Sequence, residues 1–395
     1  MSPSAQHTPA PDLDPFALAV DLLDGYRAGP DAGADPGIPV LAWIVTAAGA
    51  PRATASARRA VAQWVQTIGH GSPRHGLHDG LAGTLVGLDH AARLHPPLQR
   101  VADSLRDRLV DAAERRPWGT ESVGFPDYDL ITGPAGVLLA LSAGTSGTAP
   151  LLTFAQHLAA LCDHADLPRL RTGPYAEHPT LSWLHGRINT GMGHGVAGVA
   201  TALTAAVRRL GPEPHLTGAL HHAVHWLTRQ SFDDDRGIRS WDGAGLEGPP
   251  PPGPRPRQAW CYGNPGVAWA VWDGARTIDD QETSEWALDA FTTFADGFDE
   301  DFHLFGEEPI DLLGLCHGAA GILAVTDAFA RHARLPVAVL LRTRLLHHLE
   351  RRLADPAVRT KLNPGLLGGA TGVLSALLTA AHDGDRAWLP CLGLR

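Results

Sequence analysis

Cysteine is scarce in this sequence, which has four in 395 residues, and the four lie far apart. Such spacing does not fit the dense disulfide framework of a small secreted protein. The first 14 residues are polar and proline-rich, and they lack the basic segment and apolar stretch of a secretory signal. We therefore expect a protein of a reducing, cytoplasmic compartment.

Long hydrophobic runs and an excess of positive charge are also missing. The longest uncharged run, Leu130 to Cys162, is interrupted by the loop-forming segment 142–150, so it predicts two short buried helices rather than a transmembrane segment. The formal net charge of −10 gives no reason to expect nucleic acid as a partner. Apolar residues make up 44% of the chain and charged ones 19%, which allows a sizeable core and argues against disorder of the whole chain.

What the sequence has instead is a repeat. A Gly-x-x-Gly element followed by a small, apolar run occurs six times. The copies begin at Gly80, Gly133, Gly195, Gly263, Gly318 and Gly369. Their separation of 51 to 68 residues leaves room for two helices and two connections in each unit. Each glycine element predicts a tight turn that opens a helix, and the apolar composition of that helix predicts that it is buried.

More polar helical stretches lie between the copies, such as 53–67 and 216–229, and their charges fall on one face. Buried inner helices that alternate with such outer helices predict an all-α fold, an α/α toroid of six to seven helical hairpins. The seventh hairpin would be the first in the chain, Phe16–Tyr26 and Ile38–Ala48, which lacks the glycine turn. An open solenoid is the alternative. It would need polar caps, and the last copy, 365–381, is as apolar as the middle ones.

The domain organisation expected from this pattern is simple. Residues 14–395 would form a single toroid domain after a disordered N-terminal tail, residues 1–13. Two long proline-containing loops, 167–190 and 245–256, each precede a glycine turn on the same side of the repeat. In a toroid they would surround one mouth, where function is expected.

Three of the glycine turns are directly preceded by residues with reactive side chains. Cys261 and Cys316 each lie two residues before the first glycine of their turn, His317 follows Cys316 directly, and His194 immediately precedes Gly195. These groups converge if all inner helices begin at one face. Two cysteines and a histidine can supply three zinc ligands and leave a fourth position open, as in catalytic zinc sites. Two thiolates would make the metal a poor Lewis acid for water but able to hold a further, still nucleophilic thiolate.

A lone cysteine in an apolar helix is more often a small buried hydrophobe, and Cys162 and Cys391 are assigned to that class. His78, His185 and the pair His347-His348 are interpreted as surface or packing residues. For Cys261 and Cys316, the equivalent repeat positions favour the metal site over simple packing.

At these residues the sequence resembles the lanthionine synthetase C-like family. The resemblance rests on Trp260-Cys261-Tyr262-Gly263, on Cys316-His317-Gly318 and on the histidine-containing stretch 189–198, and it extends over about residues 79–373. It implies an α/α toroid with one zinc ion in a central cavity. It also implies that Cys261, Cys316 and His317 are the zinc ligands.

The resemblance implies further roles at four positions. Asp129 matches an acidic residue near the metal, His194 a general acid or base, Arg257 an arginine of the site, and Tyr262 a tyrosine beside a metal ligand. Each has an alternative interpretation. Asp129 could cap the following helix, Arg257 could be a solvated loop charge, and Tyr262 could be a core aromatic. His194 could be a hydrogen-bonded histidine at a helix start.

The function implied by the resemblance is that of a zinc-dependent cyclase in lanthipeptide (lantibiotic) maturation. A peptide cysteine thiolate would add to dehydroalanine or dehydrobutyrine, and His194 would protonate the resulting enolate, since imidazole titrates near neutrality. The implied partners are a dehydrated precursor peptide, a dehydratase and a membrane transporter complex.

Three alternative functions stay open. The first is addition of glutathione to dehydrated residues, and the second is a non-catalytic, peptide-binding toroid with structural zinc. The third is a prenyltransferase-like toroid, which would need a basic diphosphate pocket. Beyond Arg255 and Arg257 the three turns with reactive side chains show no cluster of basic residues.

Overall fold

The computed structural model describes residues 13–29, 32, 35–68, 74–78, 80–115, 118–144, 147–248, 257–382 and 384–395. The expected disordered tail lies outside the described residues except for Leu13. So does the proline run of the second long loop, residues 249–256, which includes Arg255.

Helices account for nearly all the regular structure of the described residues. The α-helices are α1 (Pro15–Gly25), α2 (Gly37–Ala47), α3 (Pro51–Val65), α4 (Leu81–Leu94), α5 (Gln99–Arg115), α6 (Pro134–Ala143), α7 (Ala149–Leu161), α8 (Val196–Leu210), α9 (Pro214–Arg229), α10 (Asn264–Thr277), α11 (Gln281–Gly297), α12 (Glu300–His303), α13 (Pro309–Leu313), α14 (Ala319–Ala328), α15 (Pro336–Ala354), α16 (Pro356–Arg359) and α17 (Ala370–Ala381). The short 3-10 helices are Pro96–Leu98, Phe125–Asp127, Pro168–Leu170, Ser182–Leu184 and Leu389–Leu392, and a π-helical turn covers Phe329–Ala333. Two short antiparallel strands, β1 (Phe232–Asp233) and β2 (Arg239–Ser240), form one hairpin.

The helices form two concentric layers. The inner layer runs in the order α2, α4, α6, α8, α10, α14 and α17, and each member packs against the next. The last inner helix, α17, packs against the first, α2, so the ring is closed and the open solenoid is excluded. The predicted α/α toroid is therefore confirmed. Helices α1 and α2 supply the seventh hairpin.

The glycine turns form because the start of each inner helix presses against the loop that precedes it. A methyl group on Gly266 would lie 1.9 Å from the carbonyl oxygen of Trp260, and one on Gly321 would lie 1.9 Å from that of Leu315. No side chain fits at such distances. The second glycine of each element thus lets the helix begin directly behind the loop, which brings the loop residues toward the axis.

Backbone hydrogen bonds join successive turns into a continuous rim, which we define as the described residues among the three that precede each of the six repeated glycine elements. The bonds run from Leu77 N to Ile131 O, Leu130 N to Gly193 O, Met192 N to Cys261 O, Cys261 N to Cys316 O, and Cys316 N to Leu367 O, at 2.8 to 3.3 Å. The seventh hairpin joins the rim differently, because the carboxylate of Asp35 accepts the backbone N–H of Leu366 at 3.0 Å. The rim holds residues that are far apart in sequence in a fixed relation.

The C-terminal residues 389–395 pack inside the ring. The indole N–H groups of Trp260 and Trp269 donate to the carbonyls of Leu392 and Gly393, each at 2.9 Å. The side chain of Arg395 pairs with Asp273 of α10 at 2.6 Å. The chain end therefore fills the centre of the toroid behind the rim. Within the described residues, no helix combines the length and apolarity needed to cross a bilayer.

Candidate metal centre

Two adjacent rim turns bring together three side chains that can bind a metal. Cys261 precedes α10, and Cys316 and His317 precede α14. Their ligand atoms all lie within 4.8 Å of one another, and Cys316 Sγ lies 3.7 Å from His317 Nε2. The hydrogen bond from Cys261 N to Cys316 O, 3.3 Å long, fixes the two turns against each other.

The donor set fits zinc. Bonds of about 2.3 Å to sulfur and about 2.0 Å to nitrogen at a tetrahedral metal put the two ligand atoms about 3.5 Å apart, close to the separation of Cys316 Sγ and His317 Nε2. Cys261 is 2% exposed, whereas the His317 side chain is 38% exposed. Cys261 thus approaches the centre from the protein interior, whereas Cys316 is half-buried and the histidine side of the centre is open to solvent.

The two cysteine thiols have pKa values shifted in opposite directions. The hydrogen bond from the Cys261 thiol, with a further contribution from His317, holds the pKa of Cys316 well below its usual value. Burial, together with the hydrogen bond and charge of Cys316, raises the pKa of Cys261 well above its usual value. A centre that already stabilises one thiolate is suited to a cation, which favours thiolate over thiol.

The orientation of His317 is set by its neighbours. Its Nδ1 lies 3.9 Å from the carboxylate of Asp311, on the side of the ring away from the cysteines. Arg257 Nη1 lies 3.4 Å from the carbonyl oxygen of His317 and 3.5 Å from that of Asp311. The Arg257 guanidinium stacks 4.3 Å from the centre of the Phe305 ring. Arg257 is therefore packed into this corner rather than free in a loop.

Asp129 and His194 form a second pair at the mouth. His194 Nδ1 lies 2.5 Å from Asp129 Oδ2, and Asp129 is fully buried. The other oxygen, Oδ1, accepts the backbone N–H groups of Thr132 and Gly133, both at 2.7 Å. Asp129 thus holds the turn that precedes α6 without capping the helix itself, and its pairing with His194 is compatible with a role in the site. The ring of His194 stacks on Phe125, with centroids 4.4 Å apart.

Tyr262 directly follows Cys261 in the chain and is half-buried. Its hydroxyl accepts a hydrogen bond from the side-chain amide of Asn189 at 2.9 Å. Burial raises the pKa of Tyr262, although the Asn189 hydrogen bond acts in the opposite direction. The phenol therefore stays neutral and keeps its own proton available for donation. Its neighbour Trp260 is a core residue, fully buried.

Sequence reasoning missed several residues of this region. Asn189, Asp311 and Phe125 contact Tyr262, His317 and His194, and the sequence alone assigns no role to any of the three. Asn189 had the best available signal, because it opens the stretch that ends in His194. Asp311 and Phe125 could not be found from spacing, because their contacts depend on how short loop helices fold back.

A second group of ligand-type side chains lies on the outer layer. His221 and His225 of α9 and Asp280, which precedes α11, also place three ligand atoms within 4.8 Å of one another. His225 Nε2 and Asp280 Oδ2 are 2.7 Å apart, and the two histidine rings are 4.1 Å apart. His221 is exposed and the other two are half-buried. This outer cluster, as we call it, is separate from the rim.

A closed helical toroid with a Cys-Cys-His centre at its rim defines the class of protein. This chain belongs to the lanthionine synthetase C-like family, whose model matches residues 48–392. The resemblance inferred from the motifs is thereby confirmed. Solved structures similar in fold include one titled nisin cyclase, with 18% sequence identity and a TM-score of 0.77 over 96% of this chain and 95% of that chain. No curated protein matches the sequence.

Proposed function

We propose that this protein is a zinc-dependent lanthionine synthetase. It would add a cysteine thiol of a precursor peptide to a dehydroalanine or dehydrobutyrine of the same peptide and so close a thioether ring. The observation that carries this proposal is the grouping of Cys261, Cys316 and His317 close to the Asp129–His194 pair. The two groups are near enough for the charge of His194 to act on the Cys316 thiol.

Zinc, when held by Cys261, Cys316 and His317, would supply an open coordination position for the substrate thiol as thiolate. The residues around the ligands would keep them in place. Asp311 would hold the Nδ1 side of His317, so that Nε2 stays turned toward the cysteines. Arg257 would fix the loop that carries both residues and would add positive charge at the mouth.

The His194–Asp129 pair would move the proton. As the S–Cβ bond forms, the electron pair of the Cα=Cβ bond passes to Cα and the adjoining carbonyl. His194, held through Nδ1 by the buried carboxylate of Asp129, would donate a proton from Nε2 to Cα. The substrate thiol has lost one proton and Cα has gained one, so the addition needs no further reactant. Tyr262 would contribute a neutral hydroxyl donor beside Cys261.

The proposed thiol addition requires an earlier dehydration of the precursor peptide. The acceptor alkene exists only after water has been removed from a serine or threonine of the precursor. A dehydratase would therefore act first, either as a separate enzyme or as part of a larger assembly. Association with a transporter complex and a cytoplasmic location remain predictions from the family resemblance.

The test is ring formation in a dehydrated peptide that carries free cysteines. Ring closure leaves the mass unchanged, so we would alkylate the remaining thiols and count the alkyl groups by mass spectrometry. We expect their number to fall with time in the presence of the zinc-loaded protein. A parallel reaction with glutathione and a cysteine-free dehydrated peptide distinguishes the alternative, because glutathione addition raises the peptide mass.

Two controls are needed to interpret the alkylation count. The Cys316→Ala variant should close rings no faster than the peptide alone, which ties closure to the candidate centre. The peptide alone at the same pH measures spontaneous closure. The proposal is wrong if the zinc-loaded protein closes rings no faster than the peptide alone, and a mass gain with glutathione but no closure would support the alternative function.

A further inference from the structure

His78 occupies the rim position that holds a cysteine in two other turns. It lies two residues before the first glycine of its turn, as Cys261 and Cys316 do in theirs. Side chains at this position approach one another. A methyl group on Gly193, the equivalent residue of the third turn, would lie 3.6 Å from Cβ of Cys261 and 3.7 Å from Cγ1 of Ile131. The position therefore directs a side chain toward the centre of the mouth.

The order of the ring places His78 opposite the two cysteines. Helix α4, which His78 precedes, is three inner helices from α10 in one direction and three from α14 in the other. The backbone N–H of His78 donates to the carbonyl of Ile131 at 3.4 Å, which ties the residue to the rim. Its imidazole stands edge-on to the indole of Trp260, with centroids 6.5 Å apart. The imidazole thus reaches across the ring of helices to the residue that precedes Cys261.

The imidazole of His78 has unused hydrogen-bonding capacity. Both ring nitrogens are buried, and neither has a hydrogen-bond partner among the described residues. Burial, together with the charge of His194, lowers the pKa of His78 to about 3, so the ring is neutral and carries one N–H donor. A buried, unpaired polar group is costly, and an apolar ring would pack against Trp260 without that cost. The N–H therefore requires a hydrogen-bond partner that none of the described residues supplies.

We propose that His78 donates a hydrogen bond to the carbonyl oxygen of the dehydrated residue in the substrate. When the thiolate adds at Cβ, the electron pair of the alkene moves through Cα onto this oxygen, and a donor aimed there stabilises the charge as it develops. The charge leaves the oxygen when Cα takes its proton. The acceptor residue would thus lie across the mouth, between the thiolate on the cysteine side and His78 on the other. This inference rests on the proposed cyclisation.

The test compares His78→Phe, which removes the donor but keeps a flat ring against Trp260, with His78→Asn, which keeps an N–H donor on a shorter side chain. For each we would measure kcat and KM for ring closure, zinc per chain, and the absorption change when thiol is added to the cobalt-substituted protein. We expect kcat of His78→Phe to fall about 100- to 1000-fold, as for loss of one oxyanion donor. Zinc content and thiol binding should stay unchanged, and His78→Asn should recover part of the loss.

Several results would overturn the inference. Wild-type kcat in His78→Phe would mean that the donor is not used, and an equal loss of kcat in both variants would indicate packing alone. Loss of zinc would make His78 a ligand. Should His78→Phe fail to fold, the pair His78→Gln and His78→Leu makes the same comparison. A wild-type protein that binds zinc and closes no rings refutes the proposed function itself, an outcome separate from any result with the variants.

Discussion

Two clusters in the described part of the chain each place three ligand atoms within 4.8 Å, one at the rim and one on the outer layer. At the rim, Cys261 and Cys316 come from different turns and meet in a largely buried place. In the outer cluster, His221 and His225 are one helical turn apart on α9, so their proximity follows from helix geometry alone.

The two clusters differ in the interactions that their ligand side chains already make. Asp280 uses one carboxylate oxygen to cap α11 through the N–H of Thr283, and the other to pair with His225. In the outer cluster, His225 and Asp280 are therefore already paired by a hydrogen bond that joins α9 to the start of α11. Among the described residues, the side chains of the rim cysteines interact with each other and with His317, and these contacts lower the pKa of Cys316. Short distances alone do not make a metal centre, and the state of the ligand atoms decides between the two clusters.

The largest effect should follow from Cys316→Ala. This change removes one of two thiolates and leaves Cys261 and His317 unable to hold the metal by themselves. We expect zinc per purified chain to fall from about one to near zero, as for loss of one of three protein ligands, and ring closure to fall to the rate of the peptide alone. Inductively coupled plasma mass spectrometry of the dialysed protein measures the zinc.

The matched control for this change is Cys162→Ala, which removes a buried thiol at the end of α7, away from the rim. It should keep zinc and activity. Full zinc content in Cys316→Ala would contradict the distinction between the two clusters, because it would mean that the metal is bound elsewhere. The outer cluster would then be the first alternative site to test.

His194→Ala should have the next largest effect, on rate alone. Its imidazole is paired with Asp129 rather than with the cysteines, so its loss should leave the metal in place. We expect kcat for ring closure to fall about 100- to 10,000-fold, the range for loss of a general acid. Zinc content and the cobalt spectrum of the thiol complex should match those of the wild type. If His194→Ala instead loses zinc, His194 is a ligand and the proposed proton donor must be another group.

The fold and the grouping of the candidate metal ligands could largely be predicted from the sequence, because the glycine repeat determines where each inner helix begins. A Gly-x-x-Gly element that begins each inner helix places equivalent residues at equivalent points of the rim, so the convergence of Cys261 and Cys316 follows from counting residues. The alternation of buried and polar helices likewise predicted the closed toroid.

The remaining features depend on contacts that no spacing encodes. The seventh hairpin has no glycine turn, and the carboxylate of Asp35, which accepts the N–H groups of Gly37 and Leu366, joins it to the rim. Asp311 reaches His317 only because the short helix α13 folds back beside the rim. From the sequence, His78 is interpreted as a surface or packing residue, and only the order of the inner helices shows that its turn lies opposite those of the two cysteines.

The smallest effect should come from His225→Ala in the outer cluster. The change removes a half-buried hydrogen bond between α9 and Asp280, which we expect to lower the free energy of unfolding by about 1 kcal/mol. In a chain of this size the melting temperature should fall by about 1 to 2 °C, measured by differential scanning calorimetry. His221→Ala, which leaves that hydrogen bond in place, is the matched control and should shift the melting temperature less. Zinc content and ring closure should be unchanged in both variants, since the hydrogen bond of the outer cluster only joins α9 to the start of α11. Loss of zinc or of activity in His225→Ala would make the outer cluster a functional metal site and remove the distinction between the two clusters.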